Sequence, residues 1–197
     1  MDIFKPESGD TVIDLGSYAG VTVIDYLLTV GLSGYVLGVE GDPKNFKFLK
    51  KNLEIFSKIY PNYKYDLENS AITNHSNGVL FSSNSDMSSA VYRISPILHQ
   101  NKKHLVKVNS LKLSQLVTKF KLNRVDFIKA DIEGSEFDAF SDSDFFKDFS
   151  PKILLEPISM YGKYSLTEII SLLKNFKYEY EVFNQDGGSA PLVLFYK

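Results

Sequence analysis

A short apolar run, Thr11-Val12-Ile13-Asp14-Leu15, ends in Gly16-Ser17-Tyr18-Ala19-Gly20. A second run, Leu37-Gly38-Val39, ends one helix later in Glu40. Gly9-Asp10 and Gly16 bracket Thr11–Leu15 as a short strand. Between the runs, Val23, Leu27 and Val30 stand at helical spacing over Val21 to Val30, and Gly31 and Gly34 stop that helix. Strand, helix and strand in this order make a βαβ unit, whose ligand loops fall at the carboxyl edge of a parallel sheet. An acid ending the second strand can accept hydrogen bonds from both hydroxyls of a ribose. Glycines let the backbone come close to a ligand. The layout is therefore that of a nucleotide-type ligand site.

The pattern continues along the chain. Asp42-Pro43 predicts a helix start, with Asp42 as N-cap and Pro43 at the first helical position. Phe46, Leu49, Leu53 and Phe56 form that helix's apolar stripe. Strands are expected at Tyr63–Leu67, Gly78–Ser82, Leu105–Val108, Val125–Ala130 and Ile153–Glu156, and helices at Leu113–Phe120, from near Ser135, and at Ser165–Phe176. Ser83 to His104 is polar, rich in Ser and Asn, and long enough to be a lid or substrate loop or a poorly ordered insertion. Tyr178–Phe183 and Leu192–Tyr196 flank a turn at Asp186-Gly187-Gly188, too short for a helix, so they should form an antiparallel hairpin. The expectation is one α/β domain over residues 1–197, with a mostly parallel sheet, helices on both faces and a reversed strand in the terminal hairpin.

The 197 residues suffice for a real core, and 44% hydrophobic with 23% charged residues is ordinary for a soluble domain. A net charge of −2 gives no basic footprint for nucleic acid. The positive runs Lys44–Lys51 and Asn101–Lys107 read as solvated faces or loops. The absence of cysteine excludes disulfides and thiolate metal sites. No apolar stretch reaches bilayer length and no basic-then-apolar leader is present, which predicts a cytoplasmic protein.

The glycine loop narrows the ligand. A dinucleotide loop wants G-x-G-x-x-G, but counting from Gly16 this chain has Tyr18 and Val21 at the second and third positions. The Gly-Lys-Ser/Thr of a P-loop is absent, and the loop carries no Lys or Arg for phosphate. S-adenosylmethionine (SAM) fits better, because it has no phosphate and because Asp14 and Glu40 suit its cationic and hydroxyl groups. A nicotinamide-dependent oxidoreductase is disfavoured by the same missing glycines.

Lys129-Ala130-Asp131-Ile132-Glu133-Gly134-Ser135-Glu136 resembles the K-x-D-x-E-G-x-E motif of the FkbM family of SAM-dependent methyltransferases. With Ser110-Leu111 before a helix, and with the glycine loop, the resemblance runs from about Gly9 to the carboxyl end. It departs from the family at Lys112, where an acid is usual, at Tyr18, often Asn, and at Pro157, often His. The resemblance implies a Rossmann-like class I methyltransferase fold, SAM as cofactor, and methylation of a hydroxyl on a sugar, glycan, glycolipid or related small molecule. A SAM-fold module that binds without catalysis is the alternative.

The implied cofactor residues are Asp14, Gly16, Ser17, Tyr18, Gly20, Glu40, Gly41, Asn69, Ser70, Ala71 and Asp131. Glu40 would hold the ribose, Asp14 would order the loop near the methionine amino group, and Asn69 would read the adenine or merely end a strand. Asp131, Glu133 and Lys129 are the implied catalytic residues. Asp131 would stand by the methyl group and Glu133 would bind or deprotonate the acceptor. Lys129 would pair with one of them on a shared strand face if the strand continues to Glu133. An ion-pair and helix-capping network is the competing reading for this cluster. No metal is expected, although Asp131, Glu133, Glu136 and Glu156 offer the oxygen ligands magnesium favours. His75, His99 and His104 show no metal spacing; Tyr161 and Tyr164 could line an acceptor pocket or pack.

Overall fold

The computed structural model describes residues 4–82, 90–91, 105–156, 165–184 and 191–197. β1 (Thr11–Leu15), β2 (Tyr35–Val39) and β3 (Tyr65–Glu68) are linked by α1 (Val21–Val30) and α2 (Pro43–Ile59). Two short strands follow, β4 (Ala71–Ile72) and β5 (Val79–Ser82), then β6 (Ala90–Val91), β7 (Leu105–Val108) and β8 (Ser110–Leu111). After α3 (Leu113–Lys119) and β9 (Phe127–Ala130) come α4 (Glu136–Phe140), α5 (Ser143–Asp148) and β10 (Lys152–Leu155). The chain ends in α6 (Leu166–Asn175), β11 (Glu179–Phe183) and β12 (Leu192–Tyr196).

The main sheet runs β11-β12-β10-β9-β1-β2-β3. All neighbouring pairs are parallel except the two that involve β12, which is therefore the reversed strand of the hairpin. The chain order reverses direction at β1, which lies between β2 and β9. That is the switch point at which an open parallel sheet leaves a crevice.

Strand alternation divides the core. Ile13 and Leu15 face a large cluster shared with α3 to α6, whereas Val12 faces a cluster shared with α1 and α2. Asp14 therefore lies on the α1/α2 side, opposite Gly38 of β2 and Lys129 of β9 in register. The helix signals read from sequence act as expected: Asp42 Oδ1 accepts from Lys44 N at 2.7 Å with Pro43 behind it, and Ser165 and Glu168 form a capping box on α6. In the α2 stripe, Leu49, Leu53 and Phe56 are buried and Phe46 packs at the edge.

Three local expectations change. The stretch 83–104 was expected to be one polar loop, but Ala90 and Val91 pair with β5, which with β7 makes a small three-stranded antiparallel sheet. The rest of that stretch, His99 and His104 included, lies outside the described residues, as do Pro157, Tyr161, Tyr164 and the turn at Asp186-Gly187-Gly188. Ser110-Leu111 pairs in parallel with Ala71-Ile72 instead of merely leading into a helix. α5 was not read from the sequence. It is seated by its rings, with Phe145 edge-on to Phe146 and stacked on Phe149, and by Asp142 accepting from Ser114 N at 2.7 Å.

Candidate active-site cleft

A cleft opens at the carboxyl ends of β1, β2 and β9. Of the residues implied as cofactor-binding or catalytic, Gly16, Tyr18, Glu40, Gly41, Ser70, Ala71, Asp131 and Glu133 line it. Asp14, Ser17, Gly20, Asn69 and Lys129 do not line it and act from behind. Asn45, Ile72, Phe81, Val91, Ile132 and Ser135 line it as well, and the sequence reading missed them.

Glu40 is buried at the end of β2, 6% exposed. One carboxylate oxygen accepts from Tyr18 N at 2.8 Å and the other from Asp42 N at 2.7 Å. Burial raises its pKa to about 7 against the pull of these two amides. Each oxygen retains further acceptor capacity for a ligand donor. Asn69 fixes the backbone beneath it, donating from Nδ2 to the carbonyls of Glu40 at 2.7 Å and Gly41 at 3.3 Å. Its amide thus serves the loop. Ser70 lines the cleft while its hydroxyl donates to Glu68, which also pairs with Lys119.

The glycine loop is shaped by close approach. Gly16 has φ 84°, and a Cβ there would stand 1.9 Å from the Asp131 carbonyl oxygen. Only glycine fits, and it brings the β1 loop against the loop after β9. Tyr18 adopts φ 46°, the left-handed region that glycine and Asn enter most easily. The missing second glycine therefore changes the residue and leaves the left-handed turn in place, with Tyr18 N still bound to Glu40. Ser17 sits behind this turn, its hydroxyl donating to the Asp14 carbonyl at 2.9 Å and accepting from Val39 N at 3.0 Å. Gly20 faces Leu49 and Leu53 of α2 and serves helix packing.

The acidic motif does not continue the strand. β9 stops at Ala130, and Glu133 and Gly134 both have positive φ, so Asp131 and Glu133 do not share a strand face. A reversing turn instead brings both to the cleft. Glu136 is buried beneath this turn and accepts from Ile132 N and Gly134 N, both at 3.2 Å. Burial raises its pKa to about 7, opposed by those amides. Its role is to hold the turn.

Lys129 reaches Asp131 at 3.3 Å and Asp14 at 3.9 Å. Burial works to lower the pKa of its ammonium, but Asp14 and Asp131 outweigh that and hold it above the ordinary value. Lys129 is thus a fixed cation. Asp14 is fully buried, and neither carboxylate oxygen has a hydrogen-bond partner among the described residues; burial raises its pKa and Lys129 opposes the rise. The buried Ser135 hydroxyl also has no partner among the described residues, and that residue lines the cleft. His75 is fixed through its backbone, its carbonyl accepting from Thr73 and Ser110. Among the described residues no three His, Asp or Glu side chains are grouped as a metal site, and no helix is long and apolar enough to cross a membrane.

The far wall is apolar. Ala71 and Ile72 come from β4, and Phe81 and Val91 from the small sheet. A Cβ on Gly41 would stand 2.8 Å from the Phe81 ring, so this glycine lets the small sheet close down on the loop after β2.

The sequence matches the model of the methyltransferase FkbM domain over residues 14–180. The fold is similar to an FkbM methyltransferase of Methylobacillus flagellatus, with TM-score 0.70 and 14% identity over 97% of this chain. It spans 44% of that protein's length. It also resembles Aeropyrum pernix fibrillarin, solved with bound S-adenosyl-L-methionine (TM-score 0.54, 15% identity, 97% of this chain and 67% of that one). A SAM-dependent O-methyltransferase of Thermotoga maritima gives TM-score 0.56 and 12% identity over 97% of this chain and 60% of that one. No curated protein sequence matches significantly.

Proposed function

The chain belongs to the FkbM methyltransferase family, and from that premise we propose that it is a SAM-dependent methyltransferase acting on a hydroxyl of a sugar, glycan or related small molecule. The observation that carries the reading is Glu40. It is a buried carboxylate at the end of β2, with both oxygens pre-positioned by backbone amides at the rim of a cleft. A ribose diol is the ligand group that such a pair of acceptors fits.

The rest of the cleft suits the same molecule. No Lys or Arg lines it among the described residues, which fits a ligand without phosphate. Ala71, Ile72, Phe81 and Val91 offer an apolar slot for a flat base. Asp131 and Glu133 place acidic groups where a sulfonium would be stabilised. The buried Ser135 hydroxyl is left for a polar group of the ligand. Bound there, SAM supplies an electrophilic methyl group.

The protein's work is then positioning and proton acceptance. Lys129, fixed as a cation, orients Asp131 and neutralises Asp14 behind it. It is a positioning residue in this scheme, because a held ammonium cannot serve as a base. Asp131 and Glu133 line the cleft, where a carboxylate would orient an acceptor hydroxyl and take its proton. Holding the acceptor in line accounts for most of the rate, since effective molarities of oriented groups are large.

The test is an assay of cell extract with methyl-labelled SAM, comparing wild type with Asp131→Asn. Label entering a hydroxyl-bearing small molecule with wild type only is the expected result. Binding of SAM with no transfer to any extract component would favour the non-catalytic module. Label on a nitrogen or carbon atom would overturn O-methylation.

A further inference from the structure

α2 buries Leu49, Leu53 and Phe56 against the sheet, yet Phe48, Ile55 and Ile59 are 55%, 49% and 65% exposed. Their spacing of seven and four residues puts them in one row along the helix. Asn52 stands in the same row and donates to the Ala19 carbonyl at 2.8 Å, so the row borders the start of α1. α1 contributes Val21 and Leu28, 75% and 50% exposed, with Leu32 just beyond its end. Ile24, between Val21 and Leu28, packs into the cluster that α2 shares. Both helices therefore carry apolar side chains that are open to solvent.

Beside this row runs a second one. Lys44, Lys51 and Lys58 recur at seven-residue spacing, with Lys47 and Lys50 close by, and all five are exposed. Glu54 is the sole acid of α2. Among the described residues none of the five lysines is in an ion pair. The chain as a whole carries −2, so this positive stripe is a local feature.

We propose that this face docks onto an anionic lipid surface, with Phe48, Ile55 and Ile59 entering the headgroup boundary and the lysine row meeting the phosphates. Exposed Phe and Ile beside a Lys row on one helix is the pattern of an interfacial helix. Lysine stems lie along apolar surface while their charges stay in water at such a boundary. A protein partner is less suited, because lysine is depleted from protein interfaces. A nucleic acid would use the lysines and leave the aliphatic row exposed. Asn45, in the first turn of the same helix, lines the cleft, so docking face and cleft share one element.

The test is co-sedimentation of the full chain with vesicles of phosphatidylcholine alone and of phosphatidylcholine mixed with phosphatidylglycerol. Binding to the mixed vesicles, weaker by about ten-fold or more on the neutral ones, is expected. Two double variants, Phe48→Asp/Ile55→Asp and Lys51→Glu/Lys58→Glu, should each lose about ten-fold or more, with an unchanged far-UV circular dichroism spectrum. If the first variant fails to fold, the second still decides. The proposal is overturned by no binding to mixed vesicles, or by binding that survives the lysine variant. It is also overturned if light scattering finds a dimer that Phe48→Asp/Ile55→Asp dissociates while vesicles are ignored, since the face would then cover a second copy.

Discussion

Tyr18 shows how much a single residue can carry. A tyrosine at φ 46° sits in a region costly for an L side chain with a large ring, and it is 37% exposed, so its packing returns little of that cost. Asn enters the same region more readily. Tyr18→Asn is therefore expected to raise stability by about 0.5–1 kcal/mol in urea unfolding. The sequence alone made Tyr18 a departure from the glycine pattern; backbone geometry makes it a strained residue that keeps the glycine conformation. Glu40 was legible as a strand-end acid. Its two amide bonds were not, because they come from the chain folding back at Tyr18 and Asp42.

At the scale of elements, the register of β1 and β9 matters most. It sets Asp14 beside Lys129, and Lys129 beside Asp131 two residues on. Removing the cation leaves Asp14 buried without compensation. Lys129→Met should destabilise the fold by about 3 kcal/mol or more, and Asp14→Asn in the same chain should restore much of that. A full double-mutant cycle by denaturant titration measures the coupling; additive effects would mean the two do not interact. Periodicity gave the strands of the main sheet, α1, α2 and α6 in advance, since each carries its own apolar spacing or caps. It did not give α5, the paired β4 and β8, or β6 at Ala90–Val91, because short elements are stabilised by what they pack on. The reversing turn at Glu133 was hidden for a similar reason. Its positive φ is held by Glu136 from below, through local bonds to Ile132 N and Gly134 N that form only because Glu136 is buried under the turn.

Taken as a whole, the molecule buries acids at its carboxyl edge. Glu40 and Glu136 both have pKa values raised to about 7 from 4.5, and Asp14 is raised in the same direction. In the window from about pH 4.5 to 7 the folded state then holds more protons than the unfolded state. The stability of the free protein should fall as pH rises through that window and level off above it. Cofactor binding should show the opposite trend, because ribose hydroxyls donate to the ionised form of Glu40. The thermal midpoint of the free protein should thus decline between pH 6 and 8 while the increase produced by SAM grows, both readable by differential scanning fluorimetry. A midpoint that rises with pH in the free protein would contradict the burial account.

The central claim is that the cleft is a SAM site built around Glu40, and isothermal titration calorimetry at a pH above 7 addresses it directly. Wild type should bind SAM and its demethylated product, should not bind NADH, and should lose about ten-fold or more in affinity as Glu40→Ala, since bonds to a charged acceptor are removed. No heat with SAM, equal affinity in Glu40→Ala, or clear binding of NADH would contradict the account.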